Sequence, residues 1–209
     1  MTIELQARQL GCVRGRRQLF TAVGIGLAAG RALRIAGVNG SGKSSLLRIL
    51  CGLAAPQSGD VLWRGTDIRS SRAEFARELL YLGHEAAIKE DLSAIENLVA
   101  GAALSGAPVS IAQARGALAV GGLLGVADQP CRHLSEGQRK RVALARLHLA
   151  RERRLWVLDE PFSALDGPAV KVLTGTLDQH LAGGGMLVYT THQDIALRAA
   201  DTLTLGIAC

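Results

Sequence analysis

The segment Gly37-Val38-Asn39-Gly40-Ser41-Gly42-Lys43-Ser44 constrains this chain more than any other. Its spacing, G-x-x-x-x-G-K-[ST], carries meaning only between a strand and a helix. Leu33 and Ile35 supply the strand, and Ser45 to Leu50 (SLLRIL) the helix, which stops near Gly52 and Pro56. Glycines let such a loop turn tightly with its N–H groups facing inward, and the helix start adds the positive end of a dipole. That cradle suits phosphate. Lys43 is expected to reach the β- and γ-phosphates of a nucleotide, and the Ser44 hydroxyl to bind Mg²⁺. A glycine-rich turn with an exposed lysine is the plainer alternative, and it does not call for the flanking strand and helix.

A second cluster completes the same chemistry. Leu155-Trp156-Val157-Leu158 is apolar on both faces, as a buried parallel strand must be, and it ends in Asp159-Glu160-Pro161. Ligands of such sheets bind beyond the carboxyl ends of strands. Asp159 is placed to enter a Mg²⁺ shell, and Glu160 to polarise an attacking water as general base. Pro161 stops the strand.

The remaining pattern supports an α/β core with a helical insertion. Ile3, Leu5 and Ala7 alternate with polar residues, and Val23, Ile25 and Leu27 repeat that period of two before a turn at Ala29-Gly30. Further strands are expected at residues 59–66, 79–82, 155–158, 186–190 and 202–205. Residues from about 86 to 150 read as mostly helical, looser at Gly106-Ala107-Pro108 and Gln129-Pro130.

Length and composition narrow the class. A chain of 209 residues is one large domain or a domain with an insertion. Its 48% apolar and 20% charged residues exclude a disordered chain. The net charge of +6 invites an anionic partner. Only 2 Trp, 2 Tyr and 3 Phe are available for stacking bases, which argues against nucleic acid. No run approaches the ~18 apolar residues needed to span a bilayer. The first residues read as an amphipathic strand, not a signal peptide. Cys12, Cys51, Cys131 and Cys209 are scattered without a C-x-x-C pair, which fits a reduced cytosolic chain and excludes covalent haem attachment.

Leu134-Ser135-Glu136-Gly137-Gln138 precedes a helical stretch from Arg139 to Ala150. Ser135 and Gln138 form a capping-box pattern, so a well-capped helix accounts for the segment by itself. A helix start with a hydroxyl and free N–H groups is equally an anion site. LSEGQ also resembles the signature of ATP-binding-cassette (ABC) ATPases, usually LSGGQ. The order of motifs is similar throughout: phosphate loop, helical insertion, signature and Leu-Asp-Glu-Pro. Ser163-Ala164-Leu165-Asp166 is like a D-loop, and Thr191-His192 looks like the switch histidine.

The resemblance implies a P-loop NTPase core of ABC type, with an N-terminal antiparallel β subdomain and an inserted helical subdomain. Residues 1–209 are then one nucleotide-binding domain. Residues 1–85 and 151–209 would form its ATP-binding core, and 86–150 its helical subdomain with the signature. It implies ATP and Mg²⁺, with nucleotide contacts from Gly37, Val38, Asn39, Gly40, Ser41, Gly42, Lys43, Ser44 and Ser45. Glu160 and His192 become the catalytic residues, His192 touching the γ-phosphate. It also implies a head-to-tail dimer of two copies sandwiching two ATP molecules. Each phosphate loop would then face the other copy's Leu134, Ser135, Glu136, Gly137 and Gln138.

Two positions depart from the family pattern. The place of a Mg²⁺-sensing glutamine holds His84, a candidate metal ligand beside Ser44 and Asp159. The place of an adenine-stacking aromatic holds Arg14, whose guanidinium can also stack on a π face. Residues 82–98, and Arg-Val-Ala-Leu-Ala-Arg-Leu at 141–147, resemble the ATPase subunit of the cytochrome c maturation haem exporter. That resemblance implies a peripheral protein on the cytoplasmic face of a bacterial inner membrane. It would work with a separate integral membrane subunit in c-type cytochrome biogenesis. No residue here answers whether haem is the cargo, and an ABC ATPase for another cargo stays open. Chromosome and DNA-repair relatives need long coiled-coil arms, for which Gly37 to Asp159 leaves no room. A non-hydrolysing regulatory module would lack Glu160 or His192.

The charge has an address. Residues 132–154 hold eight basic residues against Glu136 and Glu152, a net +6, and the rest of the chain balances. The excess lies on and around the signature helix, where part of it is expected to offset nucleotide phosphate and steer assembly.

Overall fold

The structure is a computed structural model and describes residues 2–197 and 200–206. Cys209, one of the scattered thiols, lies outside the described residues. In chain order the first elements are β1 (Ile3–Arg14), β2 (Arg17–Ala28), β3 (Ala32–Ala36) and α1 (Lys43–Leu50). β4 (Ser58–Trp63), β5 (Thr66–Asp67), α2 (Arg72–Glu78) and β6 (Leu79–Leu82) follow. Then come α3 (Ala94–Leu104), α4 (Ile111–Val120), α5 (Glu136–Leu149) and β7 (Leu155–Leu158). α6 (Gly167–Ala182), β8 (Met186–Thr190) and β9 (Ala200–Thr204) close the chain. They pack into two compact units.

The first unit takes the residues before Glu85, Glu152–Pro161 and the residues from Leu177 on. It contains an antiparallel sheet in the order β2-β1-β4-β5 and a five-stranded sheet in the order β6-β7-β8-β3-β9. Every pairing in the second sheet is parallel. β7 and β8 are buried at every position, which explains their uninterrupted apolar runs. Leu46, Leu47, Ile49 and Leu50 of α1 share one core with Ile35, Val157 and Val188. The parallel order sends β3, β6, β7 and β8 out at one edge of the sheet, so the segments after them meet there.

The second unit comprises Glu85–Arg151 and Phe162–Thr176. α3, α4 and α5 pack through Ile95, Leu98, Leu118, Val142 and Ala145. Ser93, Ser110 and Ser135 each close a capping box, so all three helix starts are satisfied by their own side chains.

The fold matches the α/β expectation, with informative differences. Residues 86–93 are not helical. The Asn97 side chain holds them as a loop instead, accepting from Lys89 N and donating to the carbonyls of Lys89, Leu92 and Ser93. α5 starts at Glu136, three residues before the expected Arg139, because Ser135 is the cap. Sequence reading missed α2 and α6. α2 buries only Phe75 and offers no period to read. α6 did carry a signal, since its Leu173, Leu177 and Leu181 recur at helical spacing and are all buried. Among the described residues no helix is long and apolar enough to cross a membrane.

Candidate functional site

The phosphate loop runs from Gly37 at the end of β3 to the first turn of α1. Gly42 caps α1 in a left-handed conformation (φ 98°) and offers no side-chain cap, so the first N–H groups of the helix are left for a ligand. A Cβ there would lie 3.0 Å from Leu19 Cβ and 3.2 Å from the Phe20 ring, so only glycine fits. Gly37 is equally constrained: a Cβ would come within 2.7 Å of both Leu205 O and Ser41 Oγ. Lys43 Nζ donates to Gly37 O at 2.8 Å and Val38 O at 3.3 Å, which holds the ammonium across the loop. Among the described residues Ser41 Oγ is buried with no hydrogen-bond partner. A buried hydroxyl with no partner carries a desolvation cost that a ligand oxygen relieves.

The carboxylate pair stands at the neighbouring strand ends. Asp159 is buried, and its backbone N donates to Leu82 O at 2.8 Å, which continues the β6–β7 ladder by one rung. Its Oδ1 accepts from Thr190 Oγ1 at 2.6 Å. Glu160 adopts a left-handed backbone (φ 50°), at a cost of about 1–2 kcal/mol for a residue with a Cβ. Its backbone N donates to Thr190 Oγ1 at 2.8 Å. Its carboxylate meets His192 twice: Oε2 accepts from His192 N at 3.3 Å, and Oε1 lies 3.5 Å from Nε2. Arg34 of β3 donates to the carbonyls of Thr191 and Gln193, on either side of His192.

This unit therefore brings Asp159, Glu160 and His192 together. Oxygen donors such as the Ser44 hydroxyl and the Asp159 carboxylate suit Mg²⁺, which takes one or two protein oxygens and completes its shell with substrate phosphates and water. Among the described residues no three His, Cys, Asp or Glu side chains cluster as a metal cage. His84 is exposed, two residues past β6, and joins no such cluster. Arg14 is exposed at the end of β1, opposite Arg17.

In the helical unit, Ser135 Oγ accepts from Gln138 N at 3.2 Å, and Gln138 Oε1 accepts from Ser135 N at 2.8 Å. Leu134 is buried, while Ser135 and Glu136 are exposed. A Cβ on Gly137 would lie 2.8 Å from the backbone oxygen of Ala164, so signature and D-loop abut. Ser163, Ala164 and Leu165 lead to Asp166, whose Oδ1 caps α6 by accepting from Ala169 N at 2.9 Å. Several of the clustered cations have local work. Arg139 donates to Leu134 O, Arg141 to Gly121 O, and Arg132 pairs with Asp91.

Sequence reasoning missed Thr190 and Arg34. Neither belongs to a local motif, and only the β7-β8-β3 strand order puts them beside the acids and the histidine.

A glycine-rich loop, a buried aspartate with a following glutamate, and a histidine two residues past the neighbouring strand all sit at the strand ends of one parallel sheet. The chain belongs to the ABC transporter family, whose profile matches residues 20–163. Within that family it is similar to the cytochrome c biogenesis ATP-binding export proteins named CcmA. It is 48% identical to that of Nitrosomonas europaea, over 92% of this chain and 90% of the relative. It is 49% identical to that of Aromatoleum aromaticum, over 95% and 93%. Among solved structures, a putative ABC transporter ATP-binding protein from Pyrococcus furiosus shares the fold, with a TM-score of 0.80 at 21% identity over 97% of each chain. A dimeric ATP-binding cassette solved with ADP and phosphate superposes with a TM-score of 0.79 at 22% identity, covering 90% of this chain and 88% of that one.

Proposed function

We propose that this chain is the ATP-hydrolysing subunit of a membrane export system in c-type cytochrome biogenesis, with haem export as the finer reading. The observation that carries the ATPase reading is the Asp159–Thr190–Glu160–His192 cluster at the edge of the sheet that also launches the phosphate loop. The pathway reading is supported by the resemblance to the CcmA proteins over nearly the whole chain.

In this reading Gly37 to Ser45 cradle the triphosphate, with Lys43 supplying positive charge and Ser41 a buried hydroxyl. Ser44 and Asp159 would hold Mg²⁺, which supplies charge neutralisation at the phosphates when bound. Glu160 accepts the proton of the attacking water, and its carboxylate is held for that by His192. Residues 134–138 act on the nucleotide of a second copy, in a head-to-tail dimer, with the D-loop 163–166 packed beside them. His84 is an added candidate for the metal shell. The chain sits at the cytoplasmic face of a bacterial inner membrane, docked on an integral membrane subunit. A concave apolar surface of the helical unit, lined by Ala86, Ile88, Leu98, Leu104 and Val142, suits that partner.

The test is ATP turnover by the purified chain and by Glu160→Gln. The variant is expected to bind ATP as the parent does and to hydrolyse it at least about a hundredfold more slowly, the low end of what a general base contributes. Parental turnover in the variant would overturn the assignment.

A further inference from the structure

We infer that Thr190 is a positioning residue that locks the metal-holding aspartate and the general base to each other through one hydroxyl. The inference rests on the reading of Asp159 and Glu160 given above and extends it to a residue on another strand.

The geometry leaves the hydroxyl one arrangement. Thr190 Oγ1 lies 2.8 Å from Glu160 N, which brings its own proton, and 2.6 Å from Asp159 Oδ1, which brings none. The single hydroxyl proton therefore goes to Asp159, and a lone pair receives the Glu160 amide. Both bonds are short and Thr190 is fully buried, so water does not compete for either. A β-branched side chain on a strand is stiff at χ1, which fixes the direction of both bonds.

The strand order explains why this position can do it. β8 lies between β7 and β3, and Tyr189 is registered with Leu158. One residue on, Thr190 falls beside Asp159, where the β7 chain turns away. Two consequences follow. Asp159 has one carboxylate oxygen engaged and turned toward β8, which sets the direction its second oxygen faces. Glu160 is tethered by its amide in the left-handed conformation that brings its carboxylate to His192. Groups that orient ligating carboxylates in this way are worth roughly 10–100-fold in metal affinity or activity.

A merely structural role for a buried threonine predicts the reverse ranking of two variants. Thr190→Val keeps the volume and loses the hydroxyl, while Thr190→Ser keeps the hydroxyl and loses a methyl. If the residue only fills space, valine is the better tolerated. If it positions the acids, serine is.

The experiment measures four quantities on the full chain carrying each substitution. These are kcat and KM for ATP, ADP affinity with Mg²⁺, ADP affinity in EDTA, and the unfolding midpoint, with Asp159→Ala as reference. Thr190→Val is expected to lose roughly 10–100-fold in kcat and to lose the Mg²⁺-dependent part of ADP affinity, with ADP affinity in EDTA unchanged. Thr190→Ser is expected to keep most of both, even where its unfolding midpoint falls below that of the valine variant. Parental kcat and Mg²⁺ dependence in Thr190→Val, with both lost in Asp159→Ala, would overturn the inference and leave the parent reading intact. Unchanged Mg²⁺ dependence in Asp159→Ala would overturn the parent reading and this inference with it. Equal loss of ADP affinity in EDTA and in Mg²⁺ would mark Thr190 as a packing residue and also overturn the inference.

Discussion

Among the described residues of the unit that holds the sheets, Ser41 Oγ is buried without a hydrogen-bond partner, and the first turn of α1 has no side-chain cap. In the helical unit, Ser135 Oγ and Gln138 Oε1 close the start of α5 on themselves. Both are helix starts after a loop, and both belong to motifs associated with a nucleotide. One is left unsatisfied by the protein and the other is not. The difference assigns them different work. In the proposed reading the α1 start takes phosphate into a cradle where Gly37 and Gly42 leave no room for a Cβ. The α5 start is a finished, exposed surface, suited to meeting a nucleotide that something else already holds.

Substitutions sharpen that contrast. The largest effect is expected at the cradle. Lys43→Ala removes a charged donor to the phosphates, a contact worth about 1.5–3 kcal/mol, so nucleotide affinity falls roughly 10- to 100-fold by direct titration. Unchanged affinity would break the assignment. A smaller effect, of a different kind, is expected at the finished surface. Gly137→Ala puts a Cβ 2.8 Å from Ala164 O, which forces signature and D-loop apart by a few tenths of an ångström. Turnover should fall roughly tenfold, since small misplacements near a reacting centre are expensive, while nucleotide binding to a single chain stays parental. Weaker single-chain binding in this variant would mean that the two regions do not divide the work as described.

A third effect, on stability and not on the nucleotide, lies behind the acids. His180 stacks on Trp156 of β7, with ring centroids 3.7 Å apart and planes 5° from parallel. Burial pushes its pKa from 6.5 down to about 4. The unfolded chain therefore binds the proton more readily than the folded one. The contribution to stability is complete above about pH 6.5 and is lost as the pH falls toward 4, by at most about 1.4 kcal/mol per pH unit. Denaturant unfolding at pH 7 and pH 5 should show that slope, and His180→Leu should flatten it. A slope unchanged in the variant would place the titration elsewhere.

How much of this was legible in the chain follows the same division. Gly37 to Ser44 and Leu155 to Glu160 are local patterns, and their chemistry can be read without the fold. The Ser135–Gln138 capping box was legible for the same reason. Thr190, 31 positions from Asp159, was not, because its role exists only in the parallel register of β7 with β8. The approach of Gly137 to Ala164 was hidden likewise, since the signature pattern names Gly137 without saying which backbone it faces. Residues 86–93 misled because their composition suits a helix, while Asn97 bonds their backbone into a loop. The cluster of cations from Arg132 to Arg154 reads as one field in sequence. In the fold several of them are engaged by carbonyls and acids nearby, Arg153 by Ala76 O and Arg154 by Glu4 among them.

In the proposed head-to-tail dimer, the cradle of one copy is completed by the finished surface of another. Size-exclusion chromatography with light scattering on Glu160→Gln, with and without ATP, tests it most directly. Glu160→Gln is expected to be a monomer without ATP and a dimer with it, and adding Gly137→Ala is expected to weaken that dimer so that more ATP or more protein is needed to form it. A chain that stays monomeric at saturating ATP, or a dimer indifferent to both ATP and Gly137→Ala, would contradict it.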